Sequence, residues 1–253
     1  MNPTIQKLII RSGIGNIRVR SPRGLVEGSL WTLFPFSSYW RGTSDAGCIQ
    51  WLDRFCKPGV STLDLGAHFG LFTVAMANRV GHTGHVVALE PDAAARGKCL
   101  AHVAMNGLSW VRVFPEAASS SNGTVAFEEL DGEGSSTGRV SGDPGSGVSM
   151  PCVRLDDLYS RYSLPDPEFI KIDVENHGAQ ALMGAPRILS ACPHILMSFH
   201  SRDEMSGTRD CLKGFGYRVL SLSGEPLDWE QSVYHTVVLT TGSDRPAVPS
   251  QLQ

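Results

Sequence analysis

The chain has 253 residues, a length that suits one large domain or two small ones. Hydrophobic residues make up 42% of the sequence and charged residues 19%, a composition that excludes a mainly disordered protein. Lys and Arg number 22 against 25 Asp and Glu, so the formal net charge of −3 lacks the positive footprint of a protein that binds duplex nucleic acid.

From residue 60 onwards, short apolar runs of strand type alternate with helical stretches. The predicted strands are Val60–Leu65, His85–Glu90, Trp110–Phe114, Phe169–Asp173, His194–His200, Tyr217–Leu222 and Tyr234–Thr240. Helices are predicted over Phe69–Val80, from Pro91 to Asn106, and near Ala179–Leu189. This alternation predicts an α/β domain over residues 60–242, with a mostly parallel sheet and helices on both faces.

Residues 1–59 form an N-terminal extension of different composition. Five aromatic residues crowd together there, ahead of a predicted helix near Asp45–Cys56: Trp31, Phe34, Phe36, Tyr39 and Trp40. Two interpretations of this aromatic cluster stay open. Either it packs against the edge of the sheet, or it forms an apolar cover over a substrate pocket.

A second region, residues 124–155, interrupts the alternation of strands and helices. Thr124–Leu130 and Met150–Leu155 look extended, and between them lies Asp131–Ser149, which is dense in Gly and Ser. We predict an inserted β-hairpin that carries a mobile loop, because long loops in compact domains are usually functional or disordered. The last residues, 243–253, are predicted to form a flexible tail.

The segment from Ser61 to Gly70 reads as a strand, a turn of small residues and the start of a helix. Gly66 lets a ligand approach the backbone, and the helix that follows presents N–H groups to an anionic group. His68 and Leu71 occupy the other two glycine positions of the dinucleotide fingerprint, and the chain has no P-loop motif. The turn therefore disfavours a pyrophosphate or triphosphate ligand.

Glu90 ends the second predicted strand, twenty residues after Gly70. An acid at this position can accept hydrogen bonds from both hydroxyls of a ribose. Its alternative role is a residue that favours the start of the helix at Pro91. Together, the turn and the acid fit S-adenosylmethionine, which has a ribose and an amino-acid tail but no phosphate. Asp64 would support the turn or the ammonium group of this ligand.

Five sequence blocks together resemble the FkbM-type methyltransferases over roughly residues 45–200. They are Asp64-Leu-Gly-Ala-His-Phe-Gly70, Val86-Val-Ala-Leu-Glu-Pro91, Val153-Arg-Leu-Asp-Asp-Leu158, Ile170-Lys-Ile-Asp-Val-Glu175 and Leu182-Met-Gly-Ala185. The resemblance implies a seven-stranded Rossmann-like class I methyltransferase fold, S-adenosylmethionine as methyl donor, and usually O-methylation of a sugar or secondary metabolite. It also implies the residues that hold the cofactor: Gly66, Ala67, His68, Phe69, Gly70, Glu90 and Pro91, with Glu116 and Ala117 lining the adenine site.

The chemistry is expected where the fourth and fifth predicted strands end, at Asp173 and His200, because ligands of open α/β sheets bind at the carboxyl ends of the strands. Methyl transfer to a hydroxyl needs alignment, exclusion of water and removal of a proton. A neutral histidine suits proton removal near pH 7. His200 and His177 are the candidate bases, with Asp173 or Glu175 to orient an imidazole or to hold the acceptor hydroxyl.

Structural roles for these four residues stay open as alternatives. Asp173 could cap a helix, Glu175 could be a surface acid, His200 could be a satisfied residue at a strand end, and His177 could lie in a solvated turn. Asp173, Glu175 and a histidine could in principle bind a divalent cation. Nothing in their spacing demands one, and we predict no metal site.

The sequence departs from the family pattern close to this candidate site. The pattern usually continues Asp-Val-Glu-Gly-Ala-Glu, whereas here Glu175 is followed by Asn176-His177-Gly178. Ser198 stands where the pattern often has a glutamate, two residues before the histidine. Two interpretations follow: His177 handles the proton of an unusual acceptor, or the site lacks a base and relies on proximity.

Two other classes of protein remain open. A nicotinamide-dependent oxidoreductase is disfavoured by the broken glycine fingerprint and by the lack of a Tyr-x-x-x-Lys dyad, and a non-catalytic binding protein would keep the cofactor fold. The six cysteines show no C-x-x-C spacing, so we expect neither a zinc site nor a disulfide framework. With no signal peptide and no apolar stretch of about 18 residues, the expected setting is cytoplasmic. The expected partner is a small-molecule or glycosylated acceptor, without nucleic acid or membrane, and the oligomeric state is left open.

Overall fold

The computed structural model describes residues 17–33, 39–129, 138–140 and 147–242. The strands are β1 (Arg18–Arg20), β2 (Leu30–Thr32), β3 (Ser61–Leu65), β4 (His85–Leu89), β5 (Val111–Phe114), β6 (Ala117–Ala118), β7 (Gly123–Glu129), β8 (Gly138–Val140), β9 (Val148–Val153), β10 (Phe169–Ile172), β11 (His194–Ser198), β12 (Arg218–Leu220), β13 (Pro226–Leu227) and β14 (Thr236–Thr240). The α-helices are α1 (Ile49–Phe55), α2 (Leu71–Val80), α3 (Ala93–Met105), α4 (Leu155–Tyr162), α5 (Gly178–Met183), α6 (Pro186–Leu189) and α7 (Arg202–Leu212). Short 3₁₀ turns cover Tyr39–Arg41, Ala46–Cys48 and Trp229–Ser232.

The central sheet has eight strands in the order β13-β12-β14-β11-β10-β3-β4-β5. The five strands from β11 to β5 run parallel, and β14 pairs antiparallel with both β11 and β12. Every residue of β3 and β10 is buried, as expected for strands covered by helices on both faces. The predicted fold class is confirmed. The sheet has one strand more than the resemblance implies, the two-residue β13 at its edge.

The predicted helices differ from the observed ones where glycine or proline ends them. The helix predicted from Phe69 starts at Leu71, because Gly70 takes a left-handed conformation with φ 87° at its N-cap. The helix predicted near Ala179–Leu189 is two helices, since Pro186 begins α6 and its missing N–H cannot continue α5. The helix predicted near Asp45–Cys56 consists of a 3₁₀ turn followed by α1.

The insertion forms a second sheet together with β6, which precedes it, and the strand order is β6-β9-β7-β8. Pairing of β7 with β9 is antiparallel, from Gly123 opposite Cys152 to Phe127 opposite Val148. The predicted β-hairpin is therefore present. Of the predicted mobile loop Asp131–Ser149, residues 131–137 and 141–146 lie outside the described residues, as does the tail over 243–253. The described part of that loop is partly strand, because Gly138–Val140 form β8 and β9 begins at Val148.

His102 joins the N-terminal extension to the core domain. It lies on α3 and stacks on Trp31 of β2 with a centroid distance of 3.7 Å. Its Nδ1 donates to the carbonyl of Phe69 at 2.7 Å, so its Nε2 must be the acceptor for Thr32, whose N–H and hydroxyl lie at 3.3 Å and 2.8 Å. Burial lowers the pKa of His102 to about 4, in keeping with this neutral form.

Three of the five residues of the predicted aromatic cluster, Trp31, Tyr39 and Trp40, can be placed. Trp31 is fully buried and Trp40 packs against the core, while Phe34 and Phe36 lie outside the described residues. The six cysteines are free thiols. Within the part of the chain that the structure describes, no helix is both long and apolar enough to cross a bilayer.

Candidate functional site

An open cavity lies at the carboxyl ends of β3, β4 and β10 and holds about 1080 Å³ of empty space, counted with its mouth. The chain passes from β3 to β4 on one side and reaches β10 on the other, so the crevice lies where the strand order reverses. Ten of the predicted site residues line the cavity: Gly66, Ala67, His68, Glu90, Pro91, Glu116, Ala117, Asp173, Glu175 and His177. Asp64, Phe69, Gly70 and His200 are not among its lining residues.

The turn after β3 requires glycine at its first position. Gly66 has φ 77°, and a Cβ there would lie 2.0 Å from the carbonyl oxygen of Asp173. The N–H groups of Gly66 and Ala67 both donate to the carbonyl of Leu89 at 3.1 Å. Donors for an anionic ligand are therefore expected in the first turn of α2, whose Leu71 and Phe72 line the cavity.

Glu90 lines the cavity and also stabilises this turn through hydrogen bonds to the backbone. Its Oε2 accepts the N–H of His68 at 2.7 Å, and its Oε1 accepts the N–H of Asp92 at 2.9 Å. Burial raises the pKa of Glu90 despite these two backbone bonds. Each oxygen keeps a further lone pair for a ligand hydroxyl. The two roles predicted for Glu90, ligand contact and helix start, are thus compatible.

His68 is held in the turn as a neutral side chain. Its backbone is left-handed, with φ 51°, and its ring stacks on Phe69 at 3.8 Å. Nδ1 lies 3.3 Å from the hydroxyl of Tyr39, so the N-terminal extension reaches this side of the cavity. Burial, with Lys171 nearby, lowers the pKa of His68 to about 4. His68 therefore offers a neutral ring to a ligand.

Five charged side chains of alternating sign run from beneath the turn to the end of β11. Lys171 Nζ lies 3.8 Å from Asp64 Oδ1 and 3.4 Å from Asp173 Oδ2. His200 then lies between Asp173 and Glu175, at 3.1 Å from Asp173 Oδ1 and 3.2 Å from Glu175 Oε2. This charge chain links the ends of β3, β10 and β11.

Asp64 lies below the cavity and is fully buried. Its Oδ2 accepts the hydroxyl of Thr73 at 2.6 Å, whereas Oδ1 has no hydrogen-bond partner within the described residues. Burial raises the pKa of Asp64, and the nearby ammonium of Lys171 opposes the rise. Asp64 therefore supports the floor of the site together with Lys171.

The charge states of Lys171 and Asp173 follow from their pairing. Burial alone would lower the pKa of Lys171, but Asp173 and Asp64 outweigh it and raise that pKa. Burial alone would raise the pKa of Asp173, but Lys171 and His200 bring it well below its usual range. Both groups are charged at neutral pH. The described residues include no group of three His, Cys, Asp or Glu side chains arranged to hold a metal ion.

The pKa values of the two candidate bases shift in opposite directions. Both ring nitrogens of His200 face carboxylates, and only an imidazolium can donate from both. The hydrogen bond to Asp173 raises the pKa of His200 against the effect of burial, with Glu175 adding to the rise. This arrangement disfavours the neutral form that the sequence analysis expected of a base at His200.

His177 remains neutral and lines the cavity. It is the N-cap residue of α5, and its Nε2 lies 3.1 Å from the hydroxyl of Ser119. Burial lowers its pKa to about 4. Asn176, just before it, has φ 59°, a left-handed conformation that asparagine tolerates. The departure from the family pattern over 176–178 therefore places an uncharged imidazole at the cavity wall.

Ten lining residues were not predicted as site residues: Tyr39, Asp45, Leu65, Leu71, Phe72, Leu89, Ala118, Phe127, Lys171 and Val174. The sequence does contain a feature that indicates Lys171 as a site residue. Lys171 is the single charged residue in an apolar strand, and it lies two residues before Asp173, on the same face of that strand. Tyr39 belongs to the predicted aromatic cover, and it lines the cavity as that interpretation expected. Phe127 of the inserted hairpin carried no signal that distinguishes it from an ordinary apolar strand residue.

Comparison with solved structures shows the same fold. The chain is similar to the crystal structure of an FkbM methyltransferase from Methylobacillus flagellatus, with 19% identity and a TM-score of 0.50. That match covers 72% of this chain and 43% of the other, so this chain spans less than half the length of that protein.

Two further similarities are weaker. An S-adenosylmethionine-dependent O-methyltransferase from Thermotoga maritima has 13% identity and a TM-score of 0.49, over 91% of this chain and 87% of that one. Fibrillarin from Aeropyrum pernix, in complex with S-adenosyl-L-methionine, has 14% identity and a TM-score of 0.44, over 74% of this chain and 68% of that one.

The sequence itself identifies the family. No curated protein matches the chain. The family model described as the methyltransferase FkbM domain matches residues 64–219, which include the turn after β3, Glu90 and the charge chain up to His200. This match spans more than half of the sequence. The chain belongs to the FkbM methyltransferase family.

Proposed function

We propose that this chain transfers a methyl group from S-adenosylmethionine to a hydroxyl group of a sugar or secondary metabolite. The observation that carries the proposal is the coupling of Gly66 and Glu90 in one cavity wall, through the hydrogen bond from the N–H of His68 to Glu90. This wall fits a nucleoside without phosphate. The same cavity continues to Asp173 and His177, where an acceptor would lie.

The residues present fit the cofactor. The two oxygens of Glu90 keep lone pairs for the ribose hydroxyls, and the first turn of α2 offers N–H groups to the carboxylate of the amino-acid tail. Glu116 Oε2 is buried without a hydrogen-bond partner within the described residues, and an adenine amino group is a suitable donor for it. Ala117 and Phe127 supply apolar wall beside it. When bound, S-adenosylmethionine supplies an activated methyl group and a sulfur that leaves with the electron pair.

An uncharged, hydroxyl-rich acceptor suits the opposite wall. Asp45, Asp173 and Glu175 present carboxylates, which accept hydrogen bonds from hydroxyl groups. Lys171 is the one Lys or Arg among the described lining residues, and Asp64 and Asp173 already neutralise it. A phosphorylated or carboxylated acceptor would meet like charge in this cavity. The excess of acidic over basic side chains in the cavity wall therefore supports sugars and polyols over anionic acceptors.

His177 is the proposed acceptor of the hydroxyl proton. Its neutral ring reaches the cavity, while the carboxylates of Asp173 and Glu175 on either side of His200 favour the imidazolium form of that residue. If Nε2–H donates to the hydroxyl of Ser119, Nδ1 carries the free lone pair that takes the proton. Asp173 orients the acceptor hydroxyl, and the proton passes from His177 to solvent after transfer.

Binding measurements test the cofactor first. We expect calorimetry to detect S-adenosylhomocysteine and S-adenosylmethionine but not NAD, and Glu90→Gln to weaken binding of S-adenosylhomocysteine at least tenfold. Glu168→Gln is the control, because this exposed acid lies at the opposite, amino end of β10. Tight binding of NAD in place of S-adenosylhomocysteine would establish the oxidoreductase alternative instead.

Transfer measurements test the chemistry. Methyl-labelled S-adenosylmethionine is offered with a panel of neutral glycosides and polyols and with their phosphorylated counterparts. We expect label in neutral hydroxyl compounds, with transfer reduced at least tenfold in His177→Ala. Cofactor binding without transfer to any member of a broad panel would favour the non-catalytic binding protein.

A further inference from the structure

Glu204 lies in the first turn of α7, beneath the loops that follow β10 and β11. Its side chain is 3% exposed. Its Oε1 accepts the N–H of Gly178 at 2.9 Å, and its Oε2 accepts the N–H of His200 at 2.9 Å. A glutamate at this helix position commonly accepts the backbone N–H of the N-cap residue, here Ser201. Glu204 instead joins two loops from different strands.

The lack of a side chain at Gly178 allows the carboxylate of Glu204 to approach the backbone there. As the first residue of α5, it has an N–H without an acceptor inside its own helix, and Glu204 provides one. A Cβ at residue 178 would lie 2.9 Å from Glu204 Oε1 and 2.4 Å from Met197 Cε. A side chain at residue 178 would therefore displace the end of the Met197 side chain and the carboxylate of Glu204.

Both loops that Glu204 holds carry a histidine of the candidate site. His177 precedes Gly178 and presents its ring to the cavity, and His200 places its ring between Asp173 and Glu175. We propose that Glu204 is a positioning residue for methyl transfer, which sets the backbone of His177 and His200 through one buried carboxylate. The proposal rests on the proposed function. Glu204 itself is not among the residues that line the cavity.

A carboxylate is the group that this position requires. Two backbone N–H groups converge on it, and charge-assisted hydrogen bonds of this kind are about twice as strong as neutral ones. In Glu204→Gln, one oxygen can serve one N–H, while the amide NH₂ faces the other donor. The Gln variant keeps the size of the side chain, so any effect reports the loss of the second acceptor and of the charge.

The test compares amide hydrogen exchange in the ¹⁵N-labelled full chain. The variants are Glu204→Gln, Glu204→Asp, which keeps the charge but shortens the reach, and the control Asp203→Asn. Asp203 is the neighbouring acid in the same helical turn and is exposed. We expect exchange of the Gly178 and His200 amides to accelerate at least tenfold in Glu204→Gln and Glu204→Asp, with no change in Asp203→Asn.

Ring resonances and binding add local readouts. The imidazole signals of His177 and His200 should shift in both Glu204 variants, whereas the signal of the remote, buried His102 should stay. The dissociation constant for S-adenosylhomocysteine should stay within threefold, because the Gly66 turn and Glu90 do not contact Glu204. With an acceptor found by the transfer assay, kcat should fall at least tenfold while KM for S-adenosylmethionine stays within threefold.

The outcomes separate the two proposals. Unchanged exchange at Gly178 and His200 would overturn the positioning role, and so would acceleration spread evenly over the sheet, since that pattern is general destabilisation. Glu204→Asp decides the question if Glu204→Gln does not fold. Failure of the unsubstituted chain to bind S-adenosylhomocysteine would overturn the proposed function, while the exchange result would still report whether Glu204 holds the two loops.

Discussion

Replacing Lys171 by Met removes the cation from the centre of the charge chain. Met has a similar length and keeps the apolar stem against Phe72, whose ring lies 4.9 Å from the ammonium. Asp64 would then keep the hydroxyl of Thr73 as its hydrogen-bond donor but lose the positive charge beside Oδ1. Because Asp64 is fully buried, the variant leaves a carboxylate that water cannot solvate.

The cost can be bounded in two ways. Removing one partner of a buried ion pair costs about 3–5 kcal/mol. Alternatively, Asp64 takes up a proton, and protonating a carboxyl of ordinary pKa at pH 7 costs about 4 kcal/mol. Since Asp173 is partly exposed and keeps His200 as its partner, its share of the cost is smaller. We expect the free energy of unfolding to fall by about 4 kcal/mol at pH 7.

The loss of unfolding free energy in Lys171→Met should depend on pH. Without Lys171, the pKa of Asp64 in the folded chain rises further above its unfolded value, so the folded variant holds a proton that the unfolded chain releases above about pH 4. The unfolded state is common to both chains. The difference in unfolding free energy between the unsubstituted chain and Lys171→Met therefore grows with pH once Asp64 of the unsubstituted folded chain has lost its proton, which its raised pKa places above the unfolded value. At pH 4.5, the protonation cost is about 1 kcal/mol.

Urea unfolding at pH 4.5, 6 and 7.5, followed by tryptophan fluorescence, measures this difference. Lys213→Met is the control, because Lys213 is exposed at the end of α7, and its effect should stay within about 0.5 kcal/mol. A loss for Lys171→Met below about 1 kcal/mol at pH 7.5, or a loss that does not vary with pH, would refute the reasoning from burial.

Two further predictions concern the turn after β3 and the N-terminal extension. Gly66→Ala should abolish binding of S-adenosylhomocysteine and lower the melting temperature, because the added Cβ would lie 2.0 Å from the carbonyl oxygen of Asp173. The control Gly81→Ala should retain binding, because residue 81 also has a positive φ of 65° but has no atom within 4 Å of the added Cβ. Equal behaviour of the two variants would contradict the steric argument. The pKa of His102 is about 4 in the folded chain and about 6.5 in the unfolded chain. On acidification the unfolded chain therefore takes up the proton first. The free energy of unfolding should fall by about 2 kcal/mol between pH 7.5 and pH 5 because of this group. His102→Gln should show a correspondingly flatter pH dependence in urea unfolding, and an unchanged slope would rule out His102 as the source.

The sequence alone was sufficient for the order and kind of most core elements. The predicted strand His85–Glu90 contains the continuous apolar run Val86-Val-Ala-Leu89, and this pattern follows directly from burial on both faces of a parallel sheet. The turn at Gly66 and the acid at Glu90 were also readable, because a required glycine and a strand-ending acid are local features of the chain. The resemblance to the FkbM family rested on such local blocks, and the family match confirms it.

Charge states were beyond the reach of the sequence. His200 was one of two candidates for a neutral base, but the ends of β10 and β11 place two carboxylates against its two ring nitrogens. Lys171 neighbours Asp64 only because β10 pairs with β3 in the register that sets residue 171 opposite residue 64. A pKa depends on burial and on the distance to other charges, and neither quantity is written in residue spacing.

Local spacing predicted the core strands, the helices α2 and α3 and the turn after β3, since hydrophobic periodicity and backbone conformation are properties of neighbouring residues. It did not predict the helices α4 and α7. Tertiary structure decided which side chains share the cavity: Tyr39 arrives from the N-terminal extension and Phe127 from the inserted hairpin. It also decided that Glu204 of α7 fills the space that Gly178 leaves open. Contacts between segments so distant in the chain arise from packing, which the sequence pattern of either segment does not contain.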